Sequence, residues 1–182
     1  MNKTLFLDRD GVINVNHGYV YQTDNFDFID GIVDLVKRAN QSAYKVVVVT
    51  NQSGIGRGYY SEQQFLLLND WMIATFAKQE ARIDKVYFCP HHPTLAISHY
   101  LQDCDCRKPK VGMAVNAQND LSIDVTQSIM VGDKQSDVDF AINAKISNMY
   151  LFNPTLSSSK NTVLESGTLL HQISKLNMVT FP

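Results

Sequence analysis

The amino-acid sequence predicts an α/β protein built on a doubly wound parallel sheet. Two observations carry this. Short apolar, β-branched runs too brief to be helices alternate with stretches whose apolar residues recur at helical spacing. Strands separated by helices need crossover connections, which implies right-handed βαβ units and a parallel sheet. A third observation says where a ligand would bind. The two stretches that interrupt the alternation, Asn14–Phe28 and Pro90–Lys110, each follow the C-terminal end of a strand. Open α/β sheets bind their ligands at that edge.

Taken in order, Thr4–Leu7 is a buried strand ending at Asp8. Asp30-Gly31 opens a helix with Ile32, Leu35, Val36 and Ala39 on one face, and Asp30 is placed to cap it. Lys45–Thr50 (KVVVVT) reads as a strand buried on both faces. Ser61-Glu62-Gln63-Gln64 fits a capping box for a long helix whose core side is Phe65, Leu68, Met72 and Phe76. Val86–Cys89 is a third strand, Gly112–Leu121 a helix, Ser128–Val131 a fourth strand and Asp137–Ala144 a helix. Met149–Phe152 closes the strand series. From Pro154 onward the reading is a linker followed by a weak terminal helix. No internal repeat or low-complexity segment is present, and residues 1–182 are read as one domain.

Composition narrows the function. Hydrophobic residues are 45% and charged residues 19% of 182, enough apolar material for a core. Sixteen Lys and Arg against eighteen Asp and Glu leave a net charge of −2, which argues against coating nucleic acid or an anionic membrane. The N-terminus reaches Asp8 after three apolar residues, too few for a signal-peptide core, and no run suits a membrane span. The expectation is a soluble, cytoplasmic, monomeric protein. Three cysteines without an export signal point to a metal site rather than a disulfide framework.

The most informative segment is Leu5-Phe6-Leu7-Asp8-Arg9-Asp10-Gly11. Extended backbone points residues i and i+2 to the same side, so Asp8 and Asp10 can address one ligand. Like charges this close need a cation or a proton between them. Thr50-Asn51-Gln52-Ser53 brings a hydroxyl, amides and backbone donors to another strand end. Arg107-Lys108-Pro109-Lys110 supplies cations. Ile129-Met130-Val131-Gly132-Asp133-Lys134 repeats the strand-then-aspartate device, followed by Asp137 as a helix N-cap.

The cysteines fall within eighteen positions, as Cys89-Pro90-His91 and Cys104-Asp105-Cys106. Cys89, His91, Cys104 and Cys106 make a Cys₃His set of the closed, structural zinc type. His92 and His99 compete for the fourth place; His91 is preferred because C-x-H then mirrors C-x-C.

Asp8-x-Asp10-Gly11, Thr50, Lys108 and Gly132-Asp133 match, in order, the four motifs of the haloacid dehalogenase-like phosphatase superfamily, which the chain resembles over roughly residues 4 to 140. The resemblance implies a Rossmann-like fold, Asp8 as nucleophile, Asp10 as acid and base, and Thr50 and Lys108 on the phosphoryl oxygens. It also implies Mg²⁺ on the Asp8 carboxylate, the Asp10 backbone carbonyl and the Asp133 carboxylate. The zinc-type loop, about residues 89–110, together with Asn16-His17-Gly18-Tyr19-Val20, Thr50–Gly58 and Met130–Lys134, is similar to the heptose 1,7-bisphosphate 7-phosphatase family. That resemblance implies a capless enzyme for a small phosphorylated sugar, in nucleotide-activated heptose biosynthesis. Its substrate contacts would be Asn16, His17, Gly18, Tyr19, Thr50, Asn51, Gln52, Ser53, Arg107, Lys108 and Lys134.

The histidinol-phosphate phosphatases share the C-P-H…C-D-C-R-K-P pattern and supply the alternative substrate. Two other classes fit less well. Gly54-Ile55-Gly56-Arg57-Gly58 has Tyr59 where a dinucleotide fingerprint needs its last glycine. A zinc-stabilised nucleic-acid-binding module using Arg107, Lys108 and Lys110 lacks a basic stripe. A 3′-phosphatase of nucleic-acid ends would use the same aspartates.

Overall fold

A computed structural model describes all 182 residues, Met1–Pro182. Seven strands form one sheet: β1 (Thr4–Leu7), β2 (Lys45–Asn51), β3 (Lys85–Cys89), β4 (Ile129–Gly132), β5 (Asn148–Phe152), β6 (Lys160–Val163) and β7 (Leu169–Ile173). The spatial order is β3-β2-β1-β4-β5-β7-β6. Every neighbouring pair is parallel except β6 with β7. The helices are α1 (Ile32–Gln41), α2 (Ser53–Gly56), α3 (Glu62–Lys78), α4 (Gly112–Leu121) and α5 (Gln135–Asn143).

Alternation along the strands sorts their side chains into two cores. Leu5, Leu7, Val46, Val48, Ile129 and Val131 meet Leu35, Val36 and Ala39 of α1 and Leu68, Met72 and Phe76 of α3. Phe6, Val47, Val49 and Met130 face the other way, onto Met113, Ala114 and Ala117 of α4 and Val138, Phe140 and Ala141 of α5. Burial on both faces is why these runs are continuously apolar. The register then positions the chemistry. Leu7 lies beside Val48 on one side and Val131 on the other, so the residues just beyond emerge together at one edge. No helix is long and apolar enough to cross a membrane.

Three sequence expectations are corrected. The sheet is not wholly parallel, because β6 runs antiparallel at its edge. The tail after Pro154 is not a linker and a helix. It forms the β6–β7 hairpin, turning at Gly167 (φ 84°), then a single 3₁₀ turn at Leu176–Met178. The short run Leu169–Ile173 finds its partner in β5, a pairing that local helical propensity does not register. Asp30 does not cap α1: the N-cap is Gly31, in left-handed conformation, with no side-chain cap hydrogen bond. The capping box of α3 is present, with Ser61 N–H donating to Gln64 Oε1 (2.9 Å) and Gln64 N–H to Ser61 Oγ (3.2 Å).

The tail completes the first core. Leu176 and Val179 are buried in it, and Arg38 donates to the carbonyls of Val179 (2.7 Å) and Leu176 (3.0 Å). Leu176→Ala is therefore expected to cost about 2–5 kcal/mol of stability, as for other buried leucines. Urea unfolding of the two proteins measures it; a change under about 0.5 kcal/mol, typical of surface sites, would mean the tail is not part of the core.

Candidate active site

Asp8 follows β1 and is buried, its N–H donating to Val131 O (2.9 Å) as the strand ladder ends. Asp10 lies two residues on, Thr50 is inside β2, and Asp133 follows β4. Gly11 turns the chain at φ 102°, and a Cβ there would collide with the Asp133 carboxylate. Close approach and left-handed backbone both require glycine at this position.

Lys108 is buried at the centre. Its Nζ lies 2.9 Å from Asp8 Oδ1 and 2.7 Å from Asp137 Oδ1, and donates to Val49 O at 2.8 Å. Burial works against the ammonium, but the charges of Asp8 and Asp137 outweigh it and hold its pKa above the ordinary lysine value. Asn51 clamps the Lys108 backbone, accepting its N–H (3.0 Å) and donating to its carbonyl (3.1 Å). Asp137, read from the sequence as an N-cap, is instead the third residue of α5, whose N-cap is Lys134, and it is wholly buried. Its Oδ2 accepts the N–H groups of Asp133 (3.2 Å) and Lys134 (3.1 Å), while its Oδ1 pairs with Lys108. It closes the start of α5 and anchors the lysine at once.

These groups line a small, entirely polar cleft of about 40 Å³: Asp8, Asp10, Thr50, Asn51, Lys108, Lys134, Ser136 and Asp137. It shares Asp10, Asn51, Lys108, Lys134 and Ser136 with a pocket of about 410 Å³, whose other walls include Asn16, Gly18, Tyr19, Gln52, Ser53, Tyr60 and Arg107. The sequence-predicted catalytic and substrate residues thus converge, with one departure, while Asp133 stands just behind the cleft wall beside Asp8. His17 is not in the wall; its Nε2 pairs with Asp27 Oδ2 at 2.7 Å on the exposed side of the loop. A larger hollow of about 620 Å³ lies at the start of α1 and gathers no buried carboxylate.

A hard cation fits the carboxylate cleft. Oxygens of Asp8, Asp133 and Asp137 lie within 4.8 Å of one another. Asp137 is already engaged by Lys108 and two backbone N–H groups, which leaves Asp8 and Asp133 as side-chain donors. Asp133 Oδ1 is buried and makes no hydrogen bond. The Lys134 ammonium reaches the same oxygens, 3.2 Å from Asp133 Oδ1, 3.8 Å from Asp8 Oδ2 and 3.3 Å from the Asp10 carbonyl, so a positive charge suits the spot. Burial, then the neighbouring Asp8 charge, pushes the Asp133 carboxyl up to about 6.

The cysteine cluster also closes. Sγ of Cys104 lies 3.4 Å from that of Cys89 and 3.2 Å from that of Cys106. His91 Nδ1 is 3.3 Å from Cys106 Sγ and 3.7 Å from Cys89 Sγ. A tetrahedral zinc with bonds of about 2.0–2.3 Å needs ligand separations near these. His92 and His99 are engaged elsewhere: His92 Nδ1 accepts from Thr94 and Leu95 N–H, and His99 packs on Tyr100. Hydrogen bonding among the sulfurs pushes the Cys89 thiol up and pulls Cys106 down to about 5. The cluster reaches the pocket through Arg107 Nη1, which donates to the His91 carbonyl at 3.2 Å, and through Gln52 N–H, which donates to the Cys89 carbonyl at 2.7 Å.

Residues 3–151 match the family model described as polynucleotide kinase 3 phosphatase. A D-glycero-beta-D-manno-heptose-1,7-bisphosphate 7-phosphatase of Haemophilus influenzae is 53% identical over 146 residues, 80% of this chain and 79% of the relative. The chain belongs to the heptose-1,7-bisphosphate 7-phosphatase family. The Escherichia coli K12 protein of that name is 43% identical over 94% of this chain and 93% of its own length. Among solved structures, D,D-heptose 1,7-bisphosphate phosphatase of B. bronchiseptica, complexed with magnesium and phosphate, superposes with a TM-score of 0.73. It is 30% identical and covers 82% of this chain and 80% of that one. As a member of this family the chain is a phosphoric monoester hydrolase with the haloacid dehalogenase-like fold.

Sequence reasoning missed Arg9, Tyr60, Ser136 and the second role of Asp137. Arg9 offered a signal, a charge flanked by the two aspartates and so directed by strand alternation into the protein body.

Asp133 yields a pH-dependent expectation for this family member. A carboxyl held above its ordinary value of 3.8 opposes folding once ionised, so the cost is absent below about pH 4 and complete above about pH 6. With chelator present, Asp133→Asn should melt higher than the parent at pH 7.5 and equal to it at pH 4. A uniform shift at both values would refute the assignment.

Proposed function

We propose that this chain is a Mg²⁺-dependent phosphatase that removes the 7-phosphate of D-glycero-D-manno-heptose 1,7-bisphosphate, working from one domain spanning residues 1–182 without a separate cap. The observation that carries the reading is the joining of two compartments: a narrow cleft around Asp8, Thr50 and Lys108, and an adjoining pocket with Arg107 and Lys134 in its walls. A substrate with phosphates at both ends of a short sugar would place one in each. The pocket's volume lies within the usual range of about 300–1,000 Å³ for small-molecule sites. The names of the 43–53% identical relatives agree with the substrate.

In this mechanism the Asp8 carboxylate attacks phosphorus while the bond from phosphorus to the sugar oxygen breaks. Asp10 gives its proton to the departing sugar oxygen. It then takes a proton from the water that splits the aspartyl-phosphate, which releases inorganic phosphate and returns Asp8. Thr50 and Lys108 hold the phosphoryl oxygens. A phosphate monoester carries about −1.5 to −2 charge, so Lys108 offsets the repulsion that Asp8 would otherwise meet. Mg²⁺, held by Asp8, Asp133 and the Asp10 carbonyl, would neutralise the charge developing on the phosphoryl group. Asn16, Gly18, Tyr19, Asn51, Gln52, Ser53, Arg107 and Lys134 line the sugar and second-phosphate space. His17 would serve this loop through Asp27 rather than by touching sugar. A Zn²⁺ held by Cys89, His91, Cys104 and Cys106 would fasten the loop that carries Arg107 and Lys108. The balanced charge of the chain supports a cytoplasmic enzyme of small molecules.

Phosphate release from heptose 1,7-bisphosphate, histidinol phosphate, fructose 1,6-bisphosphate and a 3′-phosphorylated oligonucleotide tests the substrate. A kcat/KM for the heptose at least about 100-fold above the rest, roughly 2.7 kcal/mol of transition-state discrimination, is expected. A win for histidinol phosphate would overturn the substrate and leave the chemistry; a win for the oligonucleotide would replace the sugar reading altogether.

Asp8→Asn should abolish turnover while the protein still binds substrate by calorimetry. Retained turnover removes Asp8 from the nucleophile's place. Stripping zinc should lower the melting temperature and raise KM more than it lowers kcat, because Arg107 hangs from the His91 carbonyl. Identical melting and kinetics in verified zinc-free protein would separate the cluster from function.

A further inference from the structure

Arg9 lies between the two aspartates of the cleft, and no part of the mechanism above uses it. Strand alternation turns it away from Asp8 and into the protein, where its side chain is completely buried. A guanidinium in that position needs a counter-charge, and the carboxylate it pairs with is Asp10. Arg9 Nη2 reaches both oxygens at 3.0 Å, and Nε reaches Oδ1 at 3.3 Å. The same Nη2 also donates to Val20 O (2.7 Å), and the guanidinium stacks over Phe65, 5.3 Å from the ring centre.

Gln52 completes the clamp. Its Nε2 donates to Asp10 Oδ2 and to Thr50 Oγ1, each at 2.8 Å. Its Oε1 accepts from Tyr60 OH (2.5 Å) and from Arg9 Nη2 (3.3 Å). Flipping the amide would set its N–H₂ against the Arg9 guanidinium and its oxygen against the Asp10 carboxylate, so the end facing Asp10 is fixed, and Tyr60 OH holds the other end in place. Asn14 Nδ2 adds a further donor to Oδ1 at 3.1 Å. Donors from three residues beside Asp10's own backbone thereby fix the plane of its carboxylate, while its side chain stays 17% exposed toward the cleft.

We propose that Arg9, with Tyr60 acting through Gln52, is a positioning residue that aims the Asp10 carboxylate at the leaving oxygen. The inference rests on Asp10 as the acid and base of the proposed function. Its consequence is graded by the leaving group. A sugar alkoxide is strongly basic and departs only with a proton, whereas p-nitrophenolate departs without one. Misaiming Asp10 should slow departure of the sugar and largely spare departure of the aryl group, a difference read in kcat/KM, because hydrolysis of the aspartyl-phosphate is common to both substrates.

The experiment compares kcat and KM for heptose 1,7-bisphosphate and p-nitrophenyl phosphate in Arg9→Lys, Tyr60→Phe and, as reference, Asp10→Asn. Lysine keeps the buried charge but lacks the fork. Arg9→Lys is expected to lose at least about tenfold more kcat/KM on the sugar than on the aryl ester, within the range for misplaced catalytic groups. Tyr60→Phe should show the same selectivity, about threefold, the weight of a single hydrogen bond. Arg9→Lys added to Asp10→Asn should cost little more on the sugar. Equal losses of kcat/KM on both substrates overturn the proposal. If Arg9→Lys does not fold, Tyr60→Phe decides: selective loss supports it and no selectivity overturns it. Equal losses in Asp10→Asn itself would instead overturn the acid–base reading, and this inference with it.

Discussion

Parallel strands that end side by side deliver their next residues to one small volume, and here those residues are acids. Asp8, Asp133 and Asp137 crowd within 4.8 Å, a concentration of negative charge that would repel itself apart in a low-dielectric interior. The buried Lys108 ammonium, shared between Asp8 and Asp137, is what lets the three coexist. Much of the surrounding architecture serves that cation. Asn51 grips its backbone from β2, Val49 offers a carbonyl, and Asp137 ties it to the start of α5. The loop after β3 exists, in this view, to carry a lysine from one sheet edge into the centre of another strand's business.

The same residues explain the electrostatic asymmetry of the cleft. Asp8 faces Lys108 directly, while Asp133 looks into the cleft partly buried, with the half-exposed Lys134 as its near cation, and burial pushes its carboxyl upward. One acid is held ready by a protein cation; the other is poised to welcome an added one. Such an arrangement suits a divalent ion and a phosphate dianion as a set, each offsetting the charge of the other.

The parts of the sequence that proved readable obey short-range rules. Val46–Val49 had to be a two-faced strand, Ser61-x-x-Gln64 had to start a helix, and Asp8-x-Asp10 had to share a side. The unreadable parts depend on distant partners. Leu169–Ile173 becomes a strand because β5 offers an open edge, which nothing within the segment announces. Asp137 looks like an N-cap, yet it sits one turn inside α5 behind Lys134, and its bond to a lysine 29 positions earlier is invisible without the fold. His17 carries the composition of a binding loop yet turns to Asp27, a choice made by the local path of the chain. Arg9 was hidden by its neighbours, whose obvious chemistry made the residue between them look like a spacer.

The division of the pocket wall has an evolutionary reading. Its reactive half hangs on strand ends whose positions are locked by a seven-stranded sheet and by glycines that admit no side chain, such as Gly11 beneath Asp133. Its recognising half is borne largely by two excursions, residues 14–28 and 90–107, whose roots are fixed, the first by Val20 and Phe26 in the core and the second by bonds to Gly56, and whose tips are exposed. Mutations in the first half would be purged almost whatever the substrate, while the exposed tips of the second, Asn16 and His17 or Thr94 and Leu95, can change without disturbing bond-breaking. A lineage built this way can change its diet while keeping its teeth.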